Sequence, residues 1–303
     1  MKGWLVVSEV LKDQQRFSKN HDLLISSAKK QGIELQKLTN VDVLCYCDGK
    51  RLTQSSPDIN FVLFYDKDIT LALYLELAGY RLFNSAKAIS LCDDKALTAI
   101  ILSNKNIRIP KTIHVPKTYH KTDEHDWIGN FCTKAIDVLG GFPVIVKECY
   151  GSFGENQSLA RINDFTLLTD DLNKRMPRSL IIQKYIEGNG YDLRIYVVGN
   201  EIVAAIKRRY VGDKADVSCS CNISLHEPST SEALLAVTAN LELGLDFSGV
   251  DILLDSNGDP LICEVNSNAL LLTDVLEVTG INVADYMIRY IKNKIKEQEY
   301  DVE

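Results

Sequence analysis

No stretch of this chain approaches the roughly 20 consecutive apolar residues that a membrane span requires. The longest apolar runs are of the kind AIILS and DILLD. A signal-peptide core is missing too, because after Met1 and Lys2 the stretch GWLVVS meets Glu9 almost at once. Positive charge is in deficit. With 34 Lys and Arg against 41 Asp and Glu, the net charge of −7 disfavours broad binding to nucleic acid. There is no GxGxxG after the first strand-like run, which removes the dinucleotide fingerprint, and no GxxxxGK[ST], which removes the P-loop. The cysteines at 45, 47, 92, 132, 149, 219, 221 and 263 include two CxC pairs but no CxxC with His partners, so a structural zinc site is not indicated. They are expected to be reduced and mostly packed. Internal repeats and low-complexity segments are absent as well.

What remains is 303 residues, 46% apolar and 25% charged, an ordinary globular composition for two or three packed subdomains. A cytoplasmic protein without nucleic-acid or membrane partners is expected. Over the first ninety residues strand and helix signals alternate. WLVVS (4–8), INFVLFYD (59–66) and YRLFN (80–84) read as buried strands, and DITLALYLELAGY (68–80) as a helix ended by Gly79. Helices should open near Ser85 and near Asp93, where a capping Asp precedes ALTAIILS. Pro110 and Pro116 mark a linker-like passage, and from about residue 130 strands and hairpins are expected. The tail IKNKIKEQEYDVE reads as a solvated helix end.

The sharpest chemical signal is SGVDILLDSNGDPLICEVNSN (248–268). If Asn257-Gly258 forms a two-residue hairpin turn, Asp251 faces Glu264, with Asn266 on the same face two residues along. Carboxylates opposed across a hairpin repel unless something positive lies between them. Such oxygens suit Mg²⁺, although one carboxylate pointing to solvent or pairing with Lys would also satisfy the pattern. A second hairpin, turning at Gly199-Asn200, puts Asp192, Arg194, Lys207 and Arg209 on one face. Surface charge is the plain explanation there, and a phosphate site the other. In KECYGSFGEN, Lys147 ends a strand, and Gly151 and Gly154 allow close approach of backbone N–H groups to phosphate.

Taken in order, LCDDKALT, FPVIVKECYGSFG, LIIQKYIEGNGYDLRIYVVGNEIVAAIKRR and SGVDILLDSNGDPLICEVNSN resemble the ATP-grasp superfamily. Within it they are similar to the RimK-type carboxylate–amine ligases, which include ribosomal-protein glutamate ligases and amino-group-carrier ligases of lysine biosynthesis. The resemblance covers about residues 85–270. It implies an α/β (α+β) protein with the ATP-grasp fold and an N-terminal Rossmann-like pre-ATP-grasp domain. The expected domains are 1–90, a central subdomain 91–182 carrying the glycine-rich lid, and 183–303 carrying the metal site.

The resemblance also implies roles. Lys95, Lys147, Gly151, Ser152 and Gly154 would meet the nucleotide and its phosphates, Gln183, Lys184, Tyr185 and Ile186 would form the hinge strand beside adenine, and Asp192 would meet ribose. Asp251, Glu264 and Asn266 match the family's metal ligands, and Arg194 and Arg209 would steady the transferred phosphate. Asn222 stands for a family Asn, although Ser220 replaces a common Arg or Lys and Lys184 replaces a Glu. ATP and Mg²⁺ are implied, the latter as two ions with Mn²⁺ able to stand in. The implied reaction is amide formation through an acyl phosphate, with release of ADP. Its substrates would be an amino-acid or peptide carboxylate and an amine, which could belong to a protein or precursor-peptide tail. A homodimer or homotetramer is expected. The alternatives are an ATP-grasp kinase and a non-catalytic ATP-binding module.

Overall fold

The computed structural model describes residues 1–118, 126–151, 159–210 and 221–300. Three sheets follow one another along the chain. The first is wholly parallel, in the order β2-β1-β3-β4, from β1 (Lys2–Val7), β2 (Glu34–Thr39), β3 (Phe61–Tyr65) and β4 (Leu82–Phe83). From Gly3 through Val7 and throughout β3 these strands are buried, as a sheet covered on both faces requires. Helices α1 (Gln15–Lys30), α2 (Ile69–Leu77), α3 (Ala86–Asp93) and α4 (Lys95–Asn104) connect and follow these strands. The Ser85 hydroxyl accepts from the Ala88 amide at 3.2 Å to start α3, and Asp94 accepts from Ala96 and Leu97 to start α4. Both starts fall where the sequence places them, to within a residue.

The second sheet is antiparallel, β5-β8-β6-β7, from β5 (Thr112–His114), β6 (Val144–Glu148), β7 (Leu159–Ile162) and β8 (Leu180–Lys184), with α5 (Asp126–Leu139) and α6 (Phe165–Arg175) inserted. The third, also antiparallel, is β11-β10-β9-β12-β13. It comprises β9 (Tyr191–Val198), β10 (Glu201–Tyr210), β11 (Cys221–Leu225), β12 (Phe247–Leu254) and β13 (Pro260–Asn266), with α7 (Thr230–Glu242) between β11 and β12. Helices α8 (Leu272–Thr279) and α9 (Val283–Tyr300) close the described chain.

Several expectations need correction. The region from 130 onward carries α5 to α8 as well as strands, and the passage expected to be a linker contains β5, which pairs with β8. The boundary expected between 182 and 183 falls inside β8. The N-terminal ninety residues also share their core. Leu5, Val7 and Leu24 belong to one apolar cluster with Tyr196, Met287, Ile288 and Ile291, because α8 and α9 return to cover α1. Cys92, Cys132 and Cys149 are buried, as packed thiols should be, whereas Cys45 and Cys47 are exposed. Among the described residues no helix is long and apolar enough to cross a membrane.

Candidate active site

The third sheet carries charge on one face, and two β-bulges decide which side chains share it. In the β9–β10 hairpin, Glu201 pairs with Val198 and Ile202 with Val197, so Gly199-Asn200 is the two-residue connection expected. Gly199 adopts φ +59, the left-handed region that favours glycine. Val203 is then the extra residue on β10, and the register moves by one. Asp192 consequently faces Arg208 and Leu193 faces Lys207, while Arg209 faces Tyr191 on the reverse side. The expectation that Lys207 and Arg209 join Asp192 and Arg194 is therefore corrected: Arg208 does. Arg209 is exposed, and Lys207 lies over the Tyr191 ring at 3.7 Å from its centroid.

The β12–β13 hairpin reaches the expected pairing by another route. Its connection is Asp255–Asp259, with the Asp255 amide donating to the Asp259 carbonyl, so Leu254 faces Pro260 rather than Leu261. An extra residue on β13, Cys263, then restores the register, and Asp251 faces Glu264 with Asn266 facing Gly249. Two deviations from the simple turn cancel at the two carboxylates.

Asp251 sits between two arginines. Arg194 Nε and Nη2 donate to its two oxygens at 2.7 Å each, and Arg208 Nη2 lies 2.8 Å from Oδ1. Arg208 also grips Asp192 through two 2.8 Å hydrogen bonds, and Tyr210 Oη donates to the same carboxylate at 3.1 Å. All four charged residues are buried. Charges removed from water persist only when paired and hydrogen-bonded in this way. Burial and the like charge of Arg208 work against the Arg194 guanidinium, but Asp251 outweighs them and its pKa is raised. Arg208 is raised similarly: burial opposes its charge, and Asp251 and Asp192 prevail. Arg16 at the start of α1 has its pKa lowered, by desolvation first and then by the positive charge of Arg194. Asp192, the residue expected near ribose, anchors Arg208.

A narrow cleft of about 30 Å³ runs between the second and third sheets, lined by Lys95, Lys147, Gln183, Cys263 and Glu264 among others. Lys95 Nζ lies 3.6 Å from Glu264 and donates to the Gly151 carbonyl at 2.8 Å. Lys147 Nζ donates to Gln183 Oε1 at 2.8 Å and approaches Cys263 Sγ at 3.8 Å. The backbone amides of Lys184 and Tyr185 bond to the carbonyls of Lys111 and Pro143, and the Lys184 ammonium turns away to the Gly141 carbonyl at 3.0 Å. Tyr185 stacks under Arg161, whose guanidinium carbon is 4.2 Å from the ring centroid. Ile186 is the second residue beyond β8.

The structure thus gathers Arg194, Asp251, Glu264 and Asn266 with Asp192, and places Lys95, Lys147, Gln183 and Gly151 beside them. Asn222 is exposed and faces Arg209 on the reverse side of the sheet. Ser152 and Gly154 lie outside the described residues. Sequence reasoning missed Arg208 and Arg16. The run Lys207-Arg208-Arg209 offered three cations, and only the bulge, which leaves no residue signature, chooses among them.

Among the described residues no three His, Cys, Asp or Glu side chains cluster as a metal site. A divalent ion would therefore depend on two carboxylates and an amide. The donor chemistry fits, since Asp251, Glu264 and Asn266 offer hard oxygens on adjacent strands. Glu264 is held only loosely by Lys95, and the Asn266 amide is 3.5 Å from Asp251 Oδ2.

Comparison with known proteins agrees with this arrangement. The RimK-like ATP-grasp domain matches residues 92–291. The ribosomal protein bS6–L-glutamate ligase of Escherichia coli O81 (strain ED1a) is 32% identical over 220 residues, covering 72% of this chain and 69% of that one. A probable alpha-L-glutamate ligase of Klebsiella pneumoniae (strain 342) is 32% identical over 222 residues, 72% and 70% of the two chains. The crystal structure of D-alanine–D-alanine ligase from Bacillus anthracis superposes with a TM-score of 0.73 at 17% identity, covering 99% of each chain, a likeness of fold alone.

Proposed function

This chain belongs to the RimK-like ATP-grasp family, and from that premise we propose that it joins an amino-acid or peptide carboxylate to an amine through an acyl phosphate. Membership makes it an ADP-forming ligase using ATP with divalent metal. The acyl-phosphate route and the substrates are our reading. The observation that carries it is the Arg194–Asp251–Arg208 cluster beside Glu264, with Lys95 and Lys147 across the cleft. With Asp192 counted beside Asp251 and Glu264, four cations around three carboxylates leave positive charge for a polyanion.

A carboxylate is a poor electrophile at neutral pH. Its oxygen attacks the γ-phosphorus of ATP, the bond to the β–γ bridging oxygen breaks, and ADP leaves. The amine then attacks the acyl carbon, phosphate departs and the amine loses a proton. Lys95 and Lys147 would hold nucleotide phosphates, and Arg194 and Arg208 would face the charge on the transferred group. Asp192 would keep Arg208 aimed. Asp251, Glu264 and Asn266 would hold Mg²⁺, two ions in our reading, which supply charge neutralisation at phosphate oxygens. The backbone leaving β8 at Tyr185 and Ile186 would border adenine.

The test is mass spectrometry after incubation with ATP, Mg²⁺ and pooled amino acids and short peptides. A product one water lighter than two pool members combined, formed with ADP, is expected. A phosphorylated product with no amide would replace the ligase reading by a kinase, and release of AMP would overturn the acyl-phosphate route.

A further inference from the structure

Helix α2 is apolar on its outside as well as its inside. Leu71, Ala72 and Leu75 are buried in one cluster with Trp4, Val6, Val62 and Phe64 of the first sheet. The outward positions are Thr70, Leu73 and Leu77, at the i, i+3, i+7 spacing of one helix face. Glu76 is the one charged residue of the helix, and it is turned aside to accept from the Ala86 amide at 3.0 Å. A helix that faces water on one side normally carries its charge there, whereas one that is hydrophobic all round is covered all round. The loop between β2 and β3 continues the same face. The Tyr46 backbone lies against the Tyr74 hydroxyl, Cys45 lies within electrostatic reach of Asp68 at the start of α2, and Gln54 Nε2 donates to the Gly79 carbonyl just past its end at 2.6 Å. The loop therefore tracks α2 from one end to the other.

Leu44, Tyr46, Leu73 and Leu77 are between 49% and 75% exposed. Four such side chains present on the order of 500 Å² of apolar surface. That is near the upper end of what monomers leave open, roughly 300–600 Å². It is also most of the roughly 800 Å² that each partner gives to a standard interface. Charge at the rim is unevenly placed. Asp68 is exposed at the N-terminal end of α2, and Lys50 and Arg51 are exposed on the part of the loop that leads to Gln54 at its C-terminal end.

We propose that this face is the interface between two copies of the chain, related by a two-fold axis that sets α2 antiparallel to its mate. The covering surface must itself be apolar and uncharged at its centre, and an isologous pairing supplies such a surface from the same residues. The rim then fixes the orientation. An axis crossing α2 brings the Asp68 end of each copy against the Arg51 end of the other and aligns the two helix dipoles head to tail. A parallel arrangement would oppose Asp68 to Asp68 and Arg51 to Arg51. The interface lies outside the candidate active site and does not depend on the reaction.

The test is sedimentation velocity of the intact chain over about 0.1–100 μM. The wild type is expected to form a dimer, and Leu77→Glu to raise the dimer Kd about thirtyfold or more. Leu234→Glu, at an equally exposed leucine on α7, should leave the Kd unchanged. Arg51→Glu should weaken pairing about threefold, and less so at high salt. A monomer at every concentration, which would leave this face to some other partner, overturns the proposal. So does a dimer that survives Leu77→Glu, a dimer lost with Leu234→Glu, or pairing that Arg51→Glu leaves unchanged. If Leu77→Glu does not fold, hydrogen exchange of the wild type decides. Amides of residues 44–47 and of Ile69–Leu77 should exchange more slowly as the protein is concentrated while those of Thr230–Glu242 do not, and the absence of that contrast overturns the interface.

Discussion

Hairpins β9–β10 and β12–β13 lie in the same sheet and each contains one extra residue, but they place it differently. In β9–β10 the bulge at Val203 follows the turn almost at once, so most of β10 is rotated by one position and Arg208 turns to the charged face. In β12–β13 the bulge at Cys263 adjoins the site, and it re-aims only Glu264, Val265 and Asn266 against β12. An early bulge selects one side chain from a run of similar ones. A late bulge rescues a pairing that the turn alone would lose.

The contrast within β10 predicts the largest effect. Arg208→Met should cut ADP release by a factor of about 10³ or more. It should also destabilise the chain by about 3–5 kcal/mol in denaturant unfolding, because Asp192 and Asp251 lose a buried partner. Arg209→Ala, one residue away and exposed, should change stability by no more than about 0.5 kcal/mol and leave the rate near wild type. Equal losses in the two variants would break the bulge assignment.

The second contrast lies across β12–β13. Glu264→Gln should abolish turnover while the melting temperature holds, because among the described residues the Glu264 carboxylate has only the 3.6 Å contact with Lys95. Asp251→Asn should abolish turnover and also lower stability by about 3 kcal/mol, since two guanidiniums lose their counter-charge. Parallel activity and melting measurements check both.

The smallest effects separate the turns. Gly199→Ala adds a Cβ 2.8 Å from the Tyr290 ring at φ +59, whereas Gly258→Ala adds one with nothing within 4 Å at φ +83. Left-handed backbone costs each about 1 kcal/mol, and the overlap should put Gly199→Ala lower in melting temperature by a further few degrees. Neither should alter the catalytic rate.

Much of this architecture was legible. Aromatic and β-branched runs mark β1, β3, β6, β8, β9, β10 and β12, and the capping residues Ser85 and Asp94 mark two helix starts. Helix α7 carries a readable sign as well, the Ser229–Glu232 capping box. Helix α1 had no such sign, since Gln14 makes no side-chain cap. The candidate site was legible as a set of residue types and only partly as a register. Gly199-Asn200 gave the correct turn and the wrong arginine. Asn257-Gly258 gave the wrong turn and the right carboxylates. The reason is physical: a turn dipeptide fixes pairing only up to the first bulge, and a bulge is chosen by packing on both faces of a sheet.

The core that joins Leu5, Val7 and Leu24 to Met287, Ile288 and Ile291 has a consequence for synthesis. At the usual 5–20 residues per second, roughly 15–50 s separate the emergence of α1 from that of α9. Throughout that interval the apolar side of α1 that α8 and α9 cover lacks its partner helices, so the nascent chain should be a client for chaperones that shield apolar surface. A ribosome-bound chain halted before Val283 should be captured by such a chaperone and cleaved readily by protease within its first hundred residues, and one carrying α9 clear of the exit tunnel should resist both.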